Sequence, residues 1–374
     1  MLRSIIYALK KADWPLYLVV IFLVALGIVG IYSVEVTADQ PTYTLVIRQS
    51  IFAIAGCLLM IAFSVIDYRR LRGWTWVLYG ASIMLLLGVL LFGTTIRGTK
   101  GWFMLYGDLG FQPVELIKVF VIILLGKLLY DWRGEIASAR KLLYLVGLIG
   151  VLIGLVLAQP DFGSSFIIAA TVLGLLVIVK MPRRYLAWIG VFLLIIMVVG
   201  WQFVLRDYQK ERILTFIDPD RDPYGSGYNI KQSIIAVGSG NFLGRGLALG
   251  PQSRLNFLPV QETDFIYAVI AEQLGFVGAS LILGLCVALV YRLIRIARRA
   301  RDDFGLFMIM GTVIYFMFQA LMNIGMNIGL LPIAGVPLPL VSYGGSSLVV
   351  SLLLIGLAQS VQIHNTGATS TRAD

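Results

Sequence analysis

Charged residues are scarce in this sequence of 374 residues, in which Asp, Glu, Lys and Arg together make up 13%. A typical soluble domain has about 25% charged and about 45–50% apolar residues. Here 59% of the residues are hydrophobic, and the mean hydropathy is +0.89. A soluble globular protein would not need so little charge, so the composition predicts an all-α polytopic membrane protein.

Histidine and cysteine are also nearly absent, which excludes several kinds of site. His364 is the single histidine and lies near the C-terminus, so we expect neither His-based catalysis nor a His-rich metal site. Cys57 and Cys286 both lie inside apolar runs, where a cysteine usually behaves as a small buried hydrophobe. Their positions match neither a zinc-binding spacing nor a disulfide framework.

Long apolar runs recur along the chain. A helix that spans a bilayer needs about 20 mainly apolar residues. The sequence predicts ten such helices within a single transmembrane domain covering 1–374, at about 14–34, 46–66, 73–92, 113–130, 143–159, 162–180, 184–204, 263–293, 304–330 and 339–363.

The distribution of basic residues predicts how the chain is oriented. The segments "DYRRLRG", "KMPRRY" and "YRLIRIARRARDD" all fall on one side of the membrane if the ten spans are right. Cytoplasmic loops carry an excess of Lys and Arg, so both termini are expected in the cytoplasm. Membrane topology thus explains the net charge of +10, and no nucleic-acid partner is indicated.

One non-cytoplasmic loop, at about 205–262, is much longer than the others and rich in Gly, Pro, Asp and Arg. Loops of this length are usually functional or disordered. The Tyr and Ile pattern in "DPDRDPYGSGYNIKQSIIAVGSG" favours an ordered loop with a short helix. The glycine-rich "GSGNFLGRGLALG" follows no strand of a nucleotide-binding fold, so it is expected to be a flexible or tightly turned loop.

Carboxylates cluster where this long loop enters the eighth predicted span. Asp264 lies at the start of that span, Glu262 just before it, and Glu272 about two turns further in. In one interpretation Thr263 caps the helix and Asp264 complements its dipole. In the other, Asp264 is a catalytic base at the membrane–water boundary, because ionisable residues at membrane depth are costly and mark functional sites.

Other segments on the same side of the membrane supply further charges. Arg97 and Lys100 lie in "IRGTKGWF", and Glu115 and Lys118 share one helix face in "FQPVELIKVF". Asp161 lies in "AQPDFGSS", at a tight reversal between two spans. The alternative roles are structural: an ion pair that neutralises itself within the bundle, and a helix cap at Asp161.

The long loop and the last interruption of the chain complete this set. Arg212 is a further cation, unless it belongs to a solvated loop face, and Ser342 lies in "VPLPLVSYGGSS", which breaks the chain before the last span. Non-helical backbone at such depth usually lines a cavity. Cations there would hold a phosphate or diphosphate, and a carboxylate would activate a hydroxyl. This chemistry suits a transferase acting on a lipid-linked substrate, but also a transporter.

Several long motifs occur in a characteristic order along the chain: "FQPVELIK", "AQPDFGSS", "DPDRDPYGSGYNIKQSIIAVGSG", "FLPVQETDFIYAVIAEQLGFVG" and "GLLPIAGVPLPLVSYGGSS". With these motifs the chain resembles the shape, elongation, division and sporulation (SEDS) family of bacterial membrane proteins, and its RodA branch in particular. The resemblance runs from the first span to the last.

The resemblance implies a peptidoglycan glycosyltransferase with ten transmembrane helices, which polymerises lipid II outside the cytoplasmic membrane for cell elongation and rod shape. It places the key aspartate of the family at Asp264 and its other motif residues at Glu115, Lys118 and Asp161. It also implies release of undecaprenyl diphosphate, a class B penicillin-binding protein as partner, and support of activity by a divalent cation, Mg or Mn, whose site is unknown.

Three positions depart from the family pattern, and one of them, Val114 in place of the usual Ser, is expected to matter little. Glu262 stands where the family often has His, and this extra carboxylate would act on the proton affinity of Asp264 or help to hold a cation. Gly101 stands where the family often has Arg, so Lys100 would take the place of that cation. The predicted substrate-binding residues are therefore Glu115, Lys118, Lys100, Arg97, Asp161, Arg212, Glu262 and Ser342.

Two other functions remain open from the sequence. A lipid II flippase would translocate the headgroup without making polymer, and it would need polar residues along a whole transmembrane path. A non-catalytic scaffold of the wall-synthesis complex would need no carboxylates and cations at this face, so substitution of Asp264 would have no effect on it.

Overall fold

The computed structural model describes residues 10–37, 42–96, 98–107, 109–133, 138–185, 187–191, 202 and 207–365. Its α-helices are α1 (Trp14–Val36), α2 (Thr44–Val65), α3 (Leu71–Phe92), α4 (Pro113–Asp131), α5 (Ala139–Ala158), α6 (Phe162–Ile178), α7 (Asp207–Ile217), α8 (Ser226–Ser239), α9 (Pro251–Arg254), α10 (Ile266–Ala297), α11 (Asp303–Asn327) and α12 (Gly345–Asn365). Short 3-10 helices lie at Tyr68–Arg70 and Pro219–Arg221.

The helices agree with the predicted membrane protein. In the described part of the chain, seven segments are long and apolar enough to cross a membrane, and they contain α1, α2, α3, α5, α10, α11 and α12. The apolar α6 has 17 residues, and α4 has 19 residues including Glu115 and Lys118. The predicted span at 184–204 lies mostly outside the described residues. The ten-helix prediction is consistent with this arrangement.

Two helix starts beside the candidate site differ from the predicted ones, and the reason is local. The last helix begins at Gly345 rather than 339, because Leu340 has a φ of +66°, a left-handed conformation that an α-helix does not contain. The helix predicted from 263 begins at Ile266, and its N-cap residue Phe265 makes no side-chain capping bond. The predicted cap at Thr263 is therefore wrong.

A small antiparallel sheet joins α3 to α4, with strand order β1 (Thr94–Ile96), β2 (Thr99–Tyr106) and β3 (Leu109–Phe111). Gly98, with a φ of +82°, lies in the turn between β1 and β2. The mostly helical class is confirmed, but the all-α description omitted this sheet. Two of its three strands have only three residues, which is too short to produce a recognisable alternation in the sequence.

The helices divide into a central and a peripheral group. In α11 and α12, 72% of the apolar window is buried inside the protein, against 22% in α2 and in the segment containing α3. Nearly every residue of α4 from Val114 to Leu129 is also buried. Because this part of α4 is enclosed by other helices, Glu115 and Lys118 face protein rather than lipid.

The long loop predicted at 205–262 is ordered wherever the structure describes it. It contains α7, α8 and α9, and α8 falls on the segment whose Tyr and Ile pattern predicted a short helix. Ala236 of α8 packs with Leu258 and Phe265 in a small apolar cluster near the start of α10. The loop is thus anchored to the helix that carries the candidate site.

The glycine-rich stretch of this loop fills a break in α10. Gly275 has a φ of +65°, which interrupts the helical hydrogen bonds around it. The amides of Arg245 and Gly246 donate to the carbonyls of Glu272 and Gln273, at 3.0 Å each. A Cβ atom on Gly244 would lie 2.1 Å from the Gln273 carbonyl oxygen, so this stretch is a tight turn built for close backbone approach.

Candidate active site

The residues just before α10 are held by the non-helical segment that precedes α12. The Tyr343 amide donates to the Glu262 carbonyl at 2.8 Å. The Ser342 hydroxyl donates to the Thr263 carbonyl at 2.6 Å. These bonds fix the backbone that leads into Asp264, whose side chain is partly exposed. The sequence motifs around Asp264 and Ser342 thus meet in the fold.

The carbonyl of Asp264 itself is held by two amide side chains of α11. Asn323 Nδ2 donates to it at 3.1 Å, and Asn327 Nδ2 donates to it at 2.9 Å. Both asparagines are fully buried. The backbone at Asp264 is therefore fixed from inside the bundle by neutral groups.

The Asp264 carboxylate faces the chain around Gly335. Its Oδ2 atom lies 3.9 Å from the position that a Cβ atom on Gly335 would occupy, and Gly335 has a φ of +64°. The left-handed backbone favours glycine here, and the missing side chain keeps the neighbourhood of the carboxylate open. Ser342 Oγ also accepts from the Leu338 amide at 2.8 Å, so this hydroxyl holds two backbone segments in place.

Two polar residues of α2 support the same segment. Gln49 Nε2 donates to the Ser342 carbonyl at 3.1 Å, and Gln49 Oε1 accepts from the Gly344 amide at 3.2 Å. Burial raises the pKa of the Tyr343 hydroxyl, and the Arg48 guanidinium opposes this rise because it stabilises the phenolate. Arg48 thus adds a cation to this end of the bundle.

Glu115 and Lys118 form a buried ion pair in the first turns of α4. Lys118 Nζ lies 2.7 Å from Glu115 Oε1, and the two side chains are 3% and 4% exposed. Lys118 Nζ also lies 6.0 Å from the centre of the Tyr315 ring. Among the described residues no group donates to Glu115 Oε2, so this buried oxygen has an unused capacity to accept a hydrogen bond.

Asp161 is the N-cap of α6, as one of its two interpretations predicted. Its Oδ1 atom accepts from the Ser164 amide at 2.9 Å, and its Oδ2 atom accepts from Gln112 Nε2 at 3.3 Å. The backbone amide of Gln112 in turn donates to Ser346 Oγ at 3.1 Å. These bonds join the starts of α4, α6 and α12.

The same neighbourhood reaches the chain beside Asp264. A Cβ atom on Gly163 would lie 2.6 Å from the Ala334 carbonyl oxygen, so α6 packs directly on the residue that precedes Gly335. The amide of Lys100, on β2, donates to the Gln159 carbonyl at 3.2 Å. The start of α6 therefore connects Lys100 and Asp161 with the segment that Asp264 faces.

Two predicted cations cannot be placed. Arg97 lies outside the described residues. Arg212 belongs to α7, but its side chain is not among those described. Their roles stay predictions.

Glu272 lies within α10 but has a structural role. It is fully buried, and its two carboxylate oxygens accept from the amides of Gln252, at 2.7 Å, and Ser253, at 3.0 Å. These amides belong to the first turn of α9, where a carboxylate is favoured by the helix dipole. Glu272 thus caps a short helix of the long loop and does not extend a polar path across the membrane.

Within the described ranges, no group of three or more His, Cys, Asp and Glu residues could hold a metal ion. The divalent cation implied by the resemblance stays a prediction.

The family model of FtsW, RodA and SpoVE, described as cell cycle protein, matches residues 14–367. The peptidoglycan glycosyltransferase MrdB of Escherichia coli (strain K12) is 39% identical over 313 residues, which cover 83% of each chain. The probable peptidoglycan glycosyltransferase FtsW of Trichlorobacter lovleyi is 35% identical over 363 residues, 95% of this chain and 94% of the relative. This chain therefore belongs to the FtsW/RodA/SpoVE family and is a multi-pass membrane protein.

Solved structures show the same fold. A chain from a structure described as the structural coordination of polymerization and crosslinking by a peptidoglycan synthase complex aligns with a TM-score of 0.80 and 33% identity, covering 95% of this chain and 99% of that one. The rod shape determining protein RodA of Thermus thermophilus aligns with a TM-score of 0.70 and 31% identity, covering 94% and 96%.

Sequence reasoning missed the amide side chains that build this site, namely Gln49, Gln112, Asn323 and Asn327. One signal was present in the sequence. Asn323 and Asn327 are four residues apart in a mostly apolar helix, so they share one face and need polar partners there.

Proposed function

We propose that this chain is a peptidoglycan glycosyltransferase that polymerises lipid II at the outer face of the cytoplasmic membrane and serves cell elongation and rod shape. The activity class rests on the family and on relatives that are 35–39% identical over most of the chain. The observation that carries the reaction is the partly exposed Asp264 carboxylate, which projects from a backbone fixed by α11 and by the segment before α12.

In the proposed reaction, Asp264 takes the proton from a sugar hydroxyl of the acceptor lipid II. The hydroxyl oxygen attacks the anomeric carbon of the lipid-linked donor glycan and inverts it. The bond from that carbon to the diphosphate breaks, and undecaprenyl diphosphate leaves with the bonding electrons. Each cycle lengthens the glycan by one lipid II unit.

Cations of the site would stabilise the negative charge that develops on the leaving diphosphate. Lys118, Lys100 and Arg212 are proposed for this role, with Arg97 as a further substrate contact. Asp161, Glu262 and Ser342 shape the binding site through the backbone contacts of their segments. Dependence on Mg²⁺ or Mn²⁺ stays a prediction, to be tested by chelation.

A class B penicillin-binding protein is the proposed partner, and it would crosslink the strands that this chain polymerises. The support is the similarity to a chain from a peptidoglycan synthase complex that coordinates polymerization and crosslinking.

The basic loops support an orientation with both termini in the cytoplasm. In that orientation Asp264 and the long loop lie at the outer face of the cytoplasmic membrane.

The experiment is a polymerisation assay in detergent with purified lipid II, Mg²⁺ or Mn²⁺, and the cognate class B penicillin-binding protein. The wild type is compared with Asp264→Asn, which keeps the size of the side chain but removes the base. Glycan polymer from the wild type and none from the variant is the expected result.

Two other outcomes would contradict the proposal. A wild type in complex with its partner that moves lipid II headgroups across vesicles without making polymer would be a flippase. The structure gives that function little support, because Glu115 is paired with Lys118 and Glu272 caps a helix. A protein inactive in both assays, whose Asp264→Asn variant still supports rod shape in cells, would be a scaffold.

A further inference from the structure

We infer that Asn323 and Asn327 are positioning residues for Asp264. Their side-chain amides fix the backbone from which the proposed base projects and thereby set its position relative to the bound sugar. This inference rests on the proposed function, because it assigns the two asparagines to the same reaction.

Asn323 joins the two chain segments between which the base lies. Its Nδ2 atom carries two N–H donors, and it donates to the Asp264 carbonyl at 3.1 Å and to the Val336 carbonyl at 2.9 Å. Val336 follows Gly335, the residue that the Asp264 carboxylate faces. One amide group therefore sets the separation between the base and the opposite segment.

Asn327 fixes the direction in which α10 leaves Asp264. Its Nδ2 atom donates to the Asp264 carbonyl at 2.9 Å, and its Oδ1 atom accepts from the Ala268 amide at 3.2 Å. Ala268 lies in the first turn of α10, where backbone amides lack a partner within the helix. The Asn327 side chain thus makes the capping bond that the N-cap residue of α10 does not make, and it also binds the backbone carbonyl of Asp264.

A second contact ties this arrangement to the long loop. The Ser233 hydroxyl of α8 donates to the Asn327 carbonyl at 2.8 Å. Asn323, Asn327 and Ser233 are all fully buried, so these bonds do not compete with water. The position of Asp264 is therefore set by α11 and by the loop helix together.

The chemistry of the amide group explains why asparagine suits this role. A Lys or Arg at either position would place a positive charge beside Asp264 and make its carboxylate a weaker base. The amide of asparagine donates directed hydrogen bonds as Lys or Arg would, but it carries no charge. It therefore fixes the backbone without weakening the base. A base displaced by about 1 Å loses roughly a hundredfold in rate.

The test compares Asn323→Ala and Asn327→Ala with Gln319→Ala in the complex with the penicillin-binding partner. Gln319 is the matched control: it lies on α11, is fully buried, and donates to the Pro337 carbonyl at 3.1 Å rather than to Asp264. All three variants lose one buried amide side chain. Thermal stability, kcat and KM for lipid II are measured for each.

For the two Asn variants we expect kcat to fall by about tenfold to a hundredfold, with KM within about twofold of the wild type. Gln319→Ala is expected to lose similar thermal stability but to keep most of its kcat per folded molecule. Asn323→Ser and Asn327→Ser retain one hydroxyl donor and should recover part of the lost kcat.

The inference is overturned if the Asn variants lose activity only in proportion to their folded fraction, as is expected for Gln319→Ala. It is also overturned if KM rises while kcat stays unchanged. If the Ala variants do not fold, the Ser variants decide by the same comparison. A wild-type complex that makes no polymer contradicts the proposed function, whereas an active wild type with fully active Asn variants contradicts only this inference.

Discussion

Asp264 and Glu272 are eight residues apart, and each lies beside non-helical backbone. Asp264 lies just before the start of α10, and Glu272 lies just before its break at Gly275. At the break at Gly275, Glu272 is fully buried and both of its oxygens accept from backbone amides of α9. At the start of α10, neutral amides from Asn323 and Asn327 hold the backbone of Asp264, whose carboxylate is partly exposed.

The difference separates a structural carboxylate from a chemical one. A carboxylate that accepts from the unpaired backbone amides at a helix start stabilises the fold. Those hydrogen bonds in turn stabilise its negative charge. At Asp264 the backbone carbonyl accepts from Asn323 and Asn327, so these two bonds fix the backbone independently of the carboxylate. Sequence position alone did not distinguish the two residues.

The largest effect is expected for Asp264→Asn. The rate of polymerisation should fall by about 10²–10⁴-fold, the usual contribution of a general base. Thermal stability should stay close to that of the wild type, because Asn keeps the size of the side chain and the bonds from Asn323 and Asn327 go to the Asp264 backbone. Polymer formation from lipid II and the melting temperature in detergent test this; a normal rate in a folded variant refutes the role of base.

Lys118→Met should destabilise the protein by about 3–5 kcal/mol, since it leaves Glu115 as an unpaired buried charge. The double variant Glu115→Gln/Lys118→Met is the control and should recover most of that stability, because no unpaired charge remains. Chemical denaturation in detergent gives both values. If the double variant is stable but makes no polymer, the pair also binds substrate; full activity limits the pair to a structural role.

Glu272→Ala should act on stability rather than on the reaction. It leaves the amides of Gln252 and Ser253 without their acceptors, which costs about 1–3 kcal/mol for each amide that stays buried. Activity per folded molecule should stay near that of the wild type. A folded Glu272→Ala protein with a kcat as low as that of Asp264→Asn would remove the distinction between the two carboxylates.

The smallest effect is expected for Asp161→Ala, which removes the N-cap of α6 and should cost about 1 kcal/mol. Asp161→Asn is the control, because asparagine caps helices about as well as aspartate. Thermal melting should show a loss for Ala and little change for Asn. Loss of polymerisation in the stable Asn variant shows that the charge of Asp161 serves the substrate as well as the helix.

Much of the architecture followed from local patterns. Long apolar runs located the described spanning helices to within a few residues, because a bilayer imposes length and polarity on each one. The largest error in a helix start, at 339–344, and another at 263–265 fell beside the candidate site. There the backbone is non-helical, and its polar groups are satisfied by residues distant in sequence, such as Gln49, Ser342 and Asn323.

The sequence by itself determined the membrane class, the polytopic helical architecture and the motifs that carry Asp264, because apolar length and motif order are local properties. Only the tertiary structure decided that Glu272 caps α9, that Glu115 pairs with Lys118, and that two asparagines hold Asp264. Apart from the pair within α4, these roles depend on which groups meet across helices and loops. In a bundle, each buried polar group must find its partner wherever packing places one.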